Sequence, residues 1–336
     1  MIRIVAGRLI ALPAMLFGVV LFLFILTHIV PSDPARIAVG PNANDAAVQT
    51  MRDKMGLNDP LPVQFARYLW DLVRGDLGDS IYDKKPVLDA IKNYAPATIE
   101  LALVATFFTV LFGIVLGVYA AVASGRAFDR LTRLVAIIGR AVPAFWLAIL
   151  LQTMFYGRLK WLPSGGRIDL DAVDSPRKIT GLYLVDSVLT WNWPAFWSSA
   201  EHILLPAAAL AIGGIADIMR MTRSQVLLEM RKDYARTARA KGMKNAVVLF
   251  RHVLPNAMNP VLTVIGIRTG YLLAGTVLIE SIFRWPGLGR YSLQAIGNFD
   301  FPALTGVTLF VTVMFVVINL IVDLIQSYLD PRVRHA

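Results

Sequence analysis

DYARTARAKGMKNAVVLFRHVLP, Asp233 to Pro255, is a basic, alanine-rich stretch with a central glycine, and it lies between two long apolar runs. A water-facing segment in that setting points to a chain whose bulk sits in lipid. Working outward from it, six apolar runs each come near the roughly 20 residues that cross a hydrocarbon core. They are Leu9 to Val30, Ala97 to Ala123, Leu134 to Phe155, Ile203 to Met221, Val261 to Ile282 and Leu304 to Ile325. The composition agrees: 56% of residues are hydrophobic, 17% are charged, and the mean hydropathy is +0.59. A soluble domain carries about 25% charge. The expected fold class is an all-α polytopic membrane protein with six transmembrane helices.

Orientation follows from the Lys and Arg, which concentrate in cytoplasmic loops near span ends. Arg3 and Arg8 precede the first run, Arg126, Arg130 and Arg133 follow the second, a dense set from Arg220 to Arg251 follows the fourth, and Arg332 and Arg334 close the chain. Few acids oppose them (Asp129, Glu229, Asp233, Asp330), whereas the segment after the first run balances its charge with eight Asp between Asp45 and Asp89. Both termini are therefore expected in the cytoplasm, and the net charge of +10 reads as a topology signal. No recognition helix or single-strand motif accompanies it, so nucleic acid is not an expected partner. With no Cys, disulfides and thiolate chemistry are excluded. The first run lacks a small-x-small cleavage site and exceeds a signal-peptide core, so it reads as an uncleaved anchor.

Between Pro31 and Pro96 the chain turns polar and is punctuated by SDP, GPN and NDP, which marks an external subdomain. Ala47, Val48, Met51 and Met55 share one helical face after an Asn44 cap, and Val63, Ala66, Leu69, Leu72 and Val73 form a second stripe. Two readings stand for these helices: packing on the rim of the bundle, or contact with a substrate-delivery protein. The second external segment, Tyr156 to Glu201, carries LPSGGR and the cluster Trp191, Trp193, Phe196 and Trp197, which reads as interfacial anchoring before an aromatic cage. Gly113 with Gly117 and Gly266 with Gly270 stand four residues apart, a spacing that lets helix backbones approach within the chain or at a partner seam. No internal repeat is evident, which argues against an inverted-repeat carrier.

No Gly-x4-Gly-Lys-Ser/Thr stretch exists, so the chain cannot cradle ATP phosphates in that manner. Neither His-Glu-x-x-His nor Gly-x-Ser-x-Gly occurs, and His28, His202, His252 and His335 lack metal-ligand spacing. Catalytic residues and metal ligands are not expected. In the basic stretch, Tyr234 to Lys241 favours a short helix, Gly242 permits its end, and Ala235, Ala238 and Ala240 would fit a protein groove rimmed by acids facing Arg236, Arg239 and Lys241. Arg140 and Arg268 fall inside the third and fifth runs, roughly 9 Å and 12 Å from the cytoplasmic ends at 1.5 Å per residue. Charges at such depth face a bundle interior, a cavity or a partner. The possible pathway-lining set is Arg140, Asp217, Gly266, Arg268 and Gly270; the opposing reading has Asp217 and Asp323 neutralising the two arginines.

Arg236-Thr237-Ala238, three residues, Gly242, nine residues and His252-Val253-Leu254-Pro255 resemble the Glu-Ala-Ala, Gly, Ile-x-Leu-Pro loop of bacterial ABC importer permeases. IVPSDP (Ile29 to Pro34), GDLGDS (Gly75 to Ser80), MTRSQVLLEM (Met221 to Met230), SIFRWPGLGR (Ser281 to Arg290) and DPRVR (Asp330 to Arg334) extend the likeness along essentially the whole chain. Together they resemble the first permease subunit of the dipeptide, oligopeptide and nickel importer family. Arg236 stands at the nominal Glu, so the position carries over and the acid's part does not; His252 replaces an apolar residue.

The resemblance implies a type I ABC importer permease fold: residues 1–30 as N-terminus and first helix, 31–96 as periplasmic subdomain, 97–326 as a five-helix core including the 222–258 coupling loop, and 327–336 as cytoplasmic tail. It implies residence in the bacterial inner membrane, contact with lipid, and partnership with a second homologous permease, two cytoplasmic ATPases and a periplasmic substrate-binding protein. No cofactor is expected in this chain, ATP and Mg residing on the ATPases. Asp233, Tyr234, Arg236, Thr237, Ala238, Lys241, Gly242, Leu254 and Pro255 would couple to the ATPases, and Phe283, Trp285, Pro286, Gly287, Leu288, Gly289 and Arg290 would face the binding protein. The expected solute is a peptide, with nickel chelates, glutathione or opine-like acids as alternatives. An ion-coupled secondary transporter or channel is the rival class.

Overall fold

The computed structural model describes residues 2–29, 33–40 and 43–329. The DPRVR tail with Arg332 and Arg334, and part of IVPSDP, lie outside the described residues, as do the side chains of Arg3 and Arg8. Among the described residues the regular elements are helices: α1 (Ile2–Ile29), α2 (Pro34–Val39), α3 (Asp45–Met55), α4 (Leu61–Val73), α5 (Val87–Val122), α6 (Ala127–Ala141), α7 (Ala144–Leu151), α8 (Tyr183–Leu189), α9 (Trp193–Met230), α10 (Asp233–Ala240), α11 (Asn245–Val247), α12 (Leu254–Gly275), α13 (Val277–Ile282), α14 (Leu288–Gly297) and α15 (Phe301–Leu329). Wider π-type turns continue α7 over Gln152–Arg158 and join α11 to α12 over Val248–Val253.

The centre is the pair α5 and α9, of 36 and 38 residues. Asn192 caps α9 by accepting from the Ala195 N–H at 3.1 Å, with Pro194 in the first turn, where a missing N–H is harmless. The two helices meet along a glycine seam. A methyl at Gly113 would stand 2.7 Å from Ile218, and one at Gly117 2.7 Å from both the Met219 carbonyl and Thr222. The four-residue spacing thus serves packing within the chain. The second pair does the same, since a methyl at Gly266 would meet Val322 at 2.7 Å and one at Gly270 would meet Phe315 at 2.5 Å, both on α15.

Among the described residues, three helices are long and apolar enough to cross a membrane: Val87–Val122, Trp193–Met230 and Phe301–Ile325. A fourth span arises if α6 and the helical stretch from Ala144 to Arg158 are taken as one, although they bend by 103°. This corrects the expectation of a continuous third span over Leu134 to Phe155: Pro143 has no N–H to donate and pushes Val142 to an extended conformation, ψ 123°, so the run breaks there. The fifth run also divides, at Thr276 between α12 and α13. In the first run, Ile10–Leu26 forms a shorter apolar helix.

The polar segment after α1 folds into α2 to α4, with the Asn44 cap in place, its side chain accepting from the Ala47 N–H at 2.8 Å. Only Val48 of the first stripe is buried. α4 turns Phe65 and Tyr68 onto Phe24 of α1, with ring centroids 5.0 and 6.5 Å apart, and leaves Val63, Trp70 and Val73 exposed. GDLGDS is tied to the last helix by Asp300, which accepts from the Ser80 hydroxyl at 2.5 Å and caps α15 through the Ala303 N–H. The tryptophan cluster forms a chain of edge-to-face pairs from Trp191 to Trp197, largely exposed, a shape suited to an interface belt.

Gly117→Val should force α5 and α9 apart and lower stability by about 1–3 kcal/mol. Gly297→Ala, which meets nothing within 4 Å, should change little. Thermal unfolding of the detergent-purified chain checks this; equal melting temperatures for both variants and the parent would refute the seam.

Candidate functional site

Three groups of residues carry the chemistry, one at each end of the bundle and one between. At the basic end, α10 lies against the end of α9 and the turns over Val248–Val253, in an apolar cluster that also takes in the ends of α5 and α12. Ala235 and Ala238 are buried with Val118, Ala121, Val226, Val248, Leu249 and Val253. Their small size therefore lets α10 sit on its own bundle, which corrects the expectation that these two alanines enter a partner's groove. The outward face presents Arg236, Thr237, Arg239, Ala240 and Lys241, all exposed. Gly242 ends the helix at φ +77°, a left-handed conformation that favours glycine, its N–H donating to Arg239 O at 2.9 Å.

Glu229, buried near the end of α9, fixes the start of this helix. It accepts from Lys232 Nζ and from the Tyr234 hydroxyl, each at 2.7 Å. Burial, and after it the Glu229 carboxylate, pushes the Tyr234 phenol up to about 12, so it remains a neutral donor at physiological pH. After the loop, Leu254 is half-buried and Pro255 exposed in the first turn of α12, where a proline displaces no hydrogen bond. His252 accepts at its backbone carbonyl from Asn256 Nδ2 at 2.7 Å, and among the described residues its buried Nε2 has no partner.

At the opposite end, the segment 283–290 is turned inward. Phe283, Trp285, Gly287, Leu288 and Gly289 are buried and Pro286 and Arg290 half-buried; Arg284 alone is exposed. This corrects their assignment to a partner-facing surface. The cause is Glu280, wholly buried, whose carboxylate accepts from the Thr98 hydroxyl at 2.7 Å and the Arg290 N–H at 2.9 Å. Thr98 in turn accepts from the Leu288 N–H at 2.7 Å, and Trp285 Nε1 donates to Ala97 O at 2.9 Å. A methyl at Gly287 would lie 2.5 Å from the Glu280 carboxylate, so the Trp-Pro-Gly-Leu-Gly pattern is what a chain wrapped around a buried acid requires.

Glu100 organises the segment between α7 and α9 in the same way. Arg167, the last residue of LPSGGR, donates to it through Nε at 3.0 Å and Nη2 at 2.6 Å, the Leu184 N–H donates at 2.7 Å, and the guanidinium lies 3.8 Å over the Tyr183 ring. Nearby, burial works to raise Asp186, but the Thr180 hydroxyl and the N–H groups of Thr180, Ile179 and Gly181 outweigh it and hold its carboxyl below the usual range. Glu100 and Glu280 escape the sequence reading, although an acid inside an apolar run is itself a signal.

Between the two ends, Asp217 of α9 is buried and gathers three arginines. Arg220 reaches its Oδ1 at 2.5 Å, Arg140 of α6 lies 3.7 Å from the same oxygen, and Arg268 of α12 bonds Oδ2. Arg140 and Arg268 therefore share one layer, as their depths suggest. Gly266 and Gly270 do not belong to it: each stands two residues from Arg268, on the opposite side of α12, and packs on α15. An arginine left in mid-bilayer hydrocarbon costs roughly 2.5–3.5 kcal/mol. The arginine side chains remain 63%, 52% and 38% exposed for Arg140, Arg220 and Arg268, so this face meets water or another subunit rather than lipid tails. No group of three His, Cys, Asp or Glu suited to a metal ion occurs among the described residues.

Compared with known proteins, residues 113–335 match the family model for the binding-protein-dependent transport system inner membrane component, and residues 1–102 the N-terminal model for membrane components of such systems. The chain is 43% identical to a probable D,D-dipeptide transport system permease protein of Escherichia coli, over 94% of this chain and 93% of that one. It is 41% identical to a dipeptide transport system permease protein of Alkalihalophilus pseudofirmus, covering 98% of each. The E. coli dipeptide permease is 36% identical, over 100% of this chain and 99% of its own. Among solved structures, the MetNI methionine ABC transporter in an inward-facing form has a chain that matches with a TM-score of 0.51 at 17% identity, over 70% of this chain and 93% of that chain, a likeness of fold.

Arg167→Ala, which strands Glu100 in the interior, should destabilise the chain by about 3–5 kcal/mol, whereas Glu100→Leu with Arg167→Met together should recover most of that loss. Thermal unfolding in detergent reads both; a harmless single variant would contradict the pinning of this segment by the ion pair.

Proposed function

Because this chain belongs to the family of binding-protein-dependent transport system inner membrane components, we propose that the solute it passes is a dipeptide or similarly short peptide. The chain is the permease subunit of a binding-protein-dependent ABC importer, a multi-pass protein of the inner membrane. It catalyses nothing itself and carries no cofactor; ATP is bound by partner ATPases, and a binding protein supplies the solute. The names of three relatives that align along nearly their whole length support the peptide reading.

Beyond this, the chain pairs with a second homologous permease above two ATPases, crosses the membrane six times, and keeps both termini in the cytoplasm. Residues 31–96 form the periplasmic subdomain, 97–326 the core and 222–258 the cytoplasmic loop. The observation that carries the coupling assignment is the two-sidedness of α10. Its buried alanines join it to three helices of the bundle, and its exposed Arg236, Thr237 and Lys241 face away from the chain. A push on that face is delivered to α5, α9 and α12 together. The binding protein meets the external end, where Arg284 and, in the segment after α1, Asp45, Val63, Trp70 and Val73 are exposed.

Arg236→Glu with Lys241→Glu, at positions away from the core, should lower substrate-stimulated ATP hydrolysis by the assembled transporter by at least about tenfold while the chain still inserts. Unchanged stimulation would refute the coupling face. For topology, single Cys residues placed at Asn245, Asp45 and Ser175 of this Cys-free chain, exposed sites all, should react with an impermeant thiol reagent in spheroplasts only at Asp45 and Ser175. Labelling at Asn245 alone would reverse the orientation.

A further inference from the structure

We propose that the arginine group around Asp217 is a receiving site for the carboxylate of the transported solute, and that it makes the pathway favour solutes bearing a free carboxylate over neutral counterparts. The inference rests on the importer reading above and goes on to assign a site and the chemistry that it selects.

The argument begins with charge. Arg140, Arg220 and Arg268 converge from three helices on one carboxylate. If Asp323, which stands on the α15 helix packed against α12, is also counted against them, three cations still meet two anions. Asp217 is saturated: its Oδ1 faces Arg220 and Arg140, and its Oδ2 takes Arg268. A guanidinium has five N–H donors in a flat fork, so each arginine keeps donors beyond the one turned to Asp217.

Placement makes the excess useful. Asp217 is 7% exposed, yet the arginines around it range from 38% to 63%, so the anion is sealed behind cations of which Arg220 and Arg268 are hydrogen-bonded to it and Arg140 stands 3.7 Å away. α6 is pressed on α9 through Gly139, whose added methyl would lie 3.5 Å from Ile212 and 3.6 Å from Ala216, so Arg140 is carried on a packed surface. Fixed guanidiniums with unspent donors bind carboxylates by paired, charge-assisted hydrogen bonds. A neutral amide gives them neither the charge nor the second acceptor oxygen.

The test uses the full transporter, with second permease, ATPases and binding protein, in proteoliposomes. Uptake of alanyl-alanine is measured against its C-terminal amide, each saturating the binding protein. In Arg140→Gln and Arg268→Gln the ratio of acid to amide uptake should fall about tenfold from the parent value, the scale of one lost charge-assisted contact. Arg140→Lys and Arg268→Lys, which keep the charge, should retain most of the preference. An unchanged ratio overturns the proposal, whether both solutes are carried normally or both decline equally. Equal decline repaired by adding Asp217→Asn would identify the arginines as counter-ions only, and equal decline with loss of the second permease on purification would identify them as a subunit contact. Failure of the importer reading has a separate signature: parent vesicles supplied with ATP would accumulate neither solute.

Discussion

The glycine seam between α5 and α9 sets the distance on which every other contact depends. With a methyl excluded at Gly113 and Gly117, the two longest central helices lie backbone to backbone, and α6 and α12 then pack on the flanks of α9. One helix therefore reaches all the functional groups: its start follows the tryptophan belt, its middle holds Asp217, and its end holds Glu229 beneath α10. A displacement of α10 can reach the arginine layer along a single continuous helix.

Buried acids fasten the polar segments to that frame. Glu100 holds the segment around Arg167 and Leu184, Glu280 holds the turn through Leu288 and Arg290, and Glu229 holds Lys232 and Tyr234. A chain without disulfides thus obtains ordered loops from buried carboxylates, each with both oxygens accepting from N–H or O–H donors. Asp217 differs, since it is outnumbered by the cations around it, and the surplus is open to its surroundings.

Hydropathy locates the helices well, because a run such as Ile203 to Met221 has no other way to hide its apolar surface. It is silent on breaks. Leu134 to Phe155 is apolar throughout, and only Pro143 hints at the bend that divides it. Spacing groups Ala235 and Ala238 on one face but does not say what that face meets; the structure gives it to the chain's own core. In the same way Phe283 and Trp285 read as exposed aromatics until Glu280, 182 residues along the chain from its partner Thr98, is seen to draw their loop inward. The convergence of Arg140 and Arg268 was legible from depth, whereas the third arginine, one turn from Asp217, was hidden in an ordinary basic loop end.

The central claim is that α10 and α9 move as one body. Spin labels at Trp197 and Thr237, both exposed and separated by a helix of about 50 Å, report on it through electron–electron distance measurement in the assembled transporter. The account predicts the same distance in the nucleotide-free and ATP-trapped states, while the distance from Thr237 to the second permease changes. A shift of several ångströms between Trp197 and Thr237, with α10 sliding on the bundle, would contradict it.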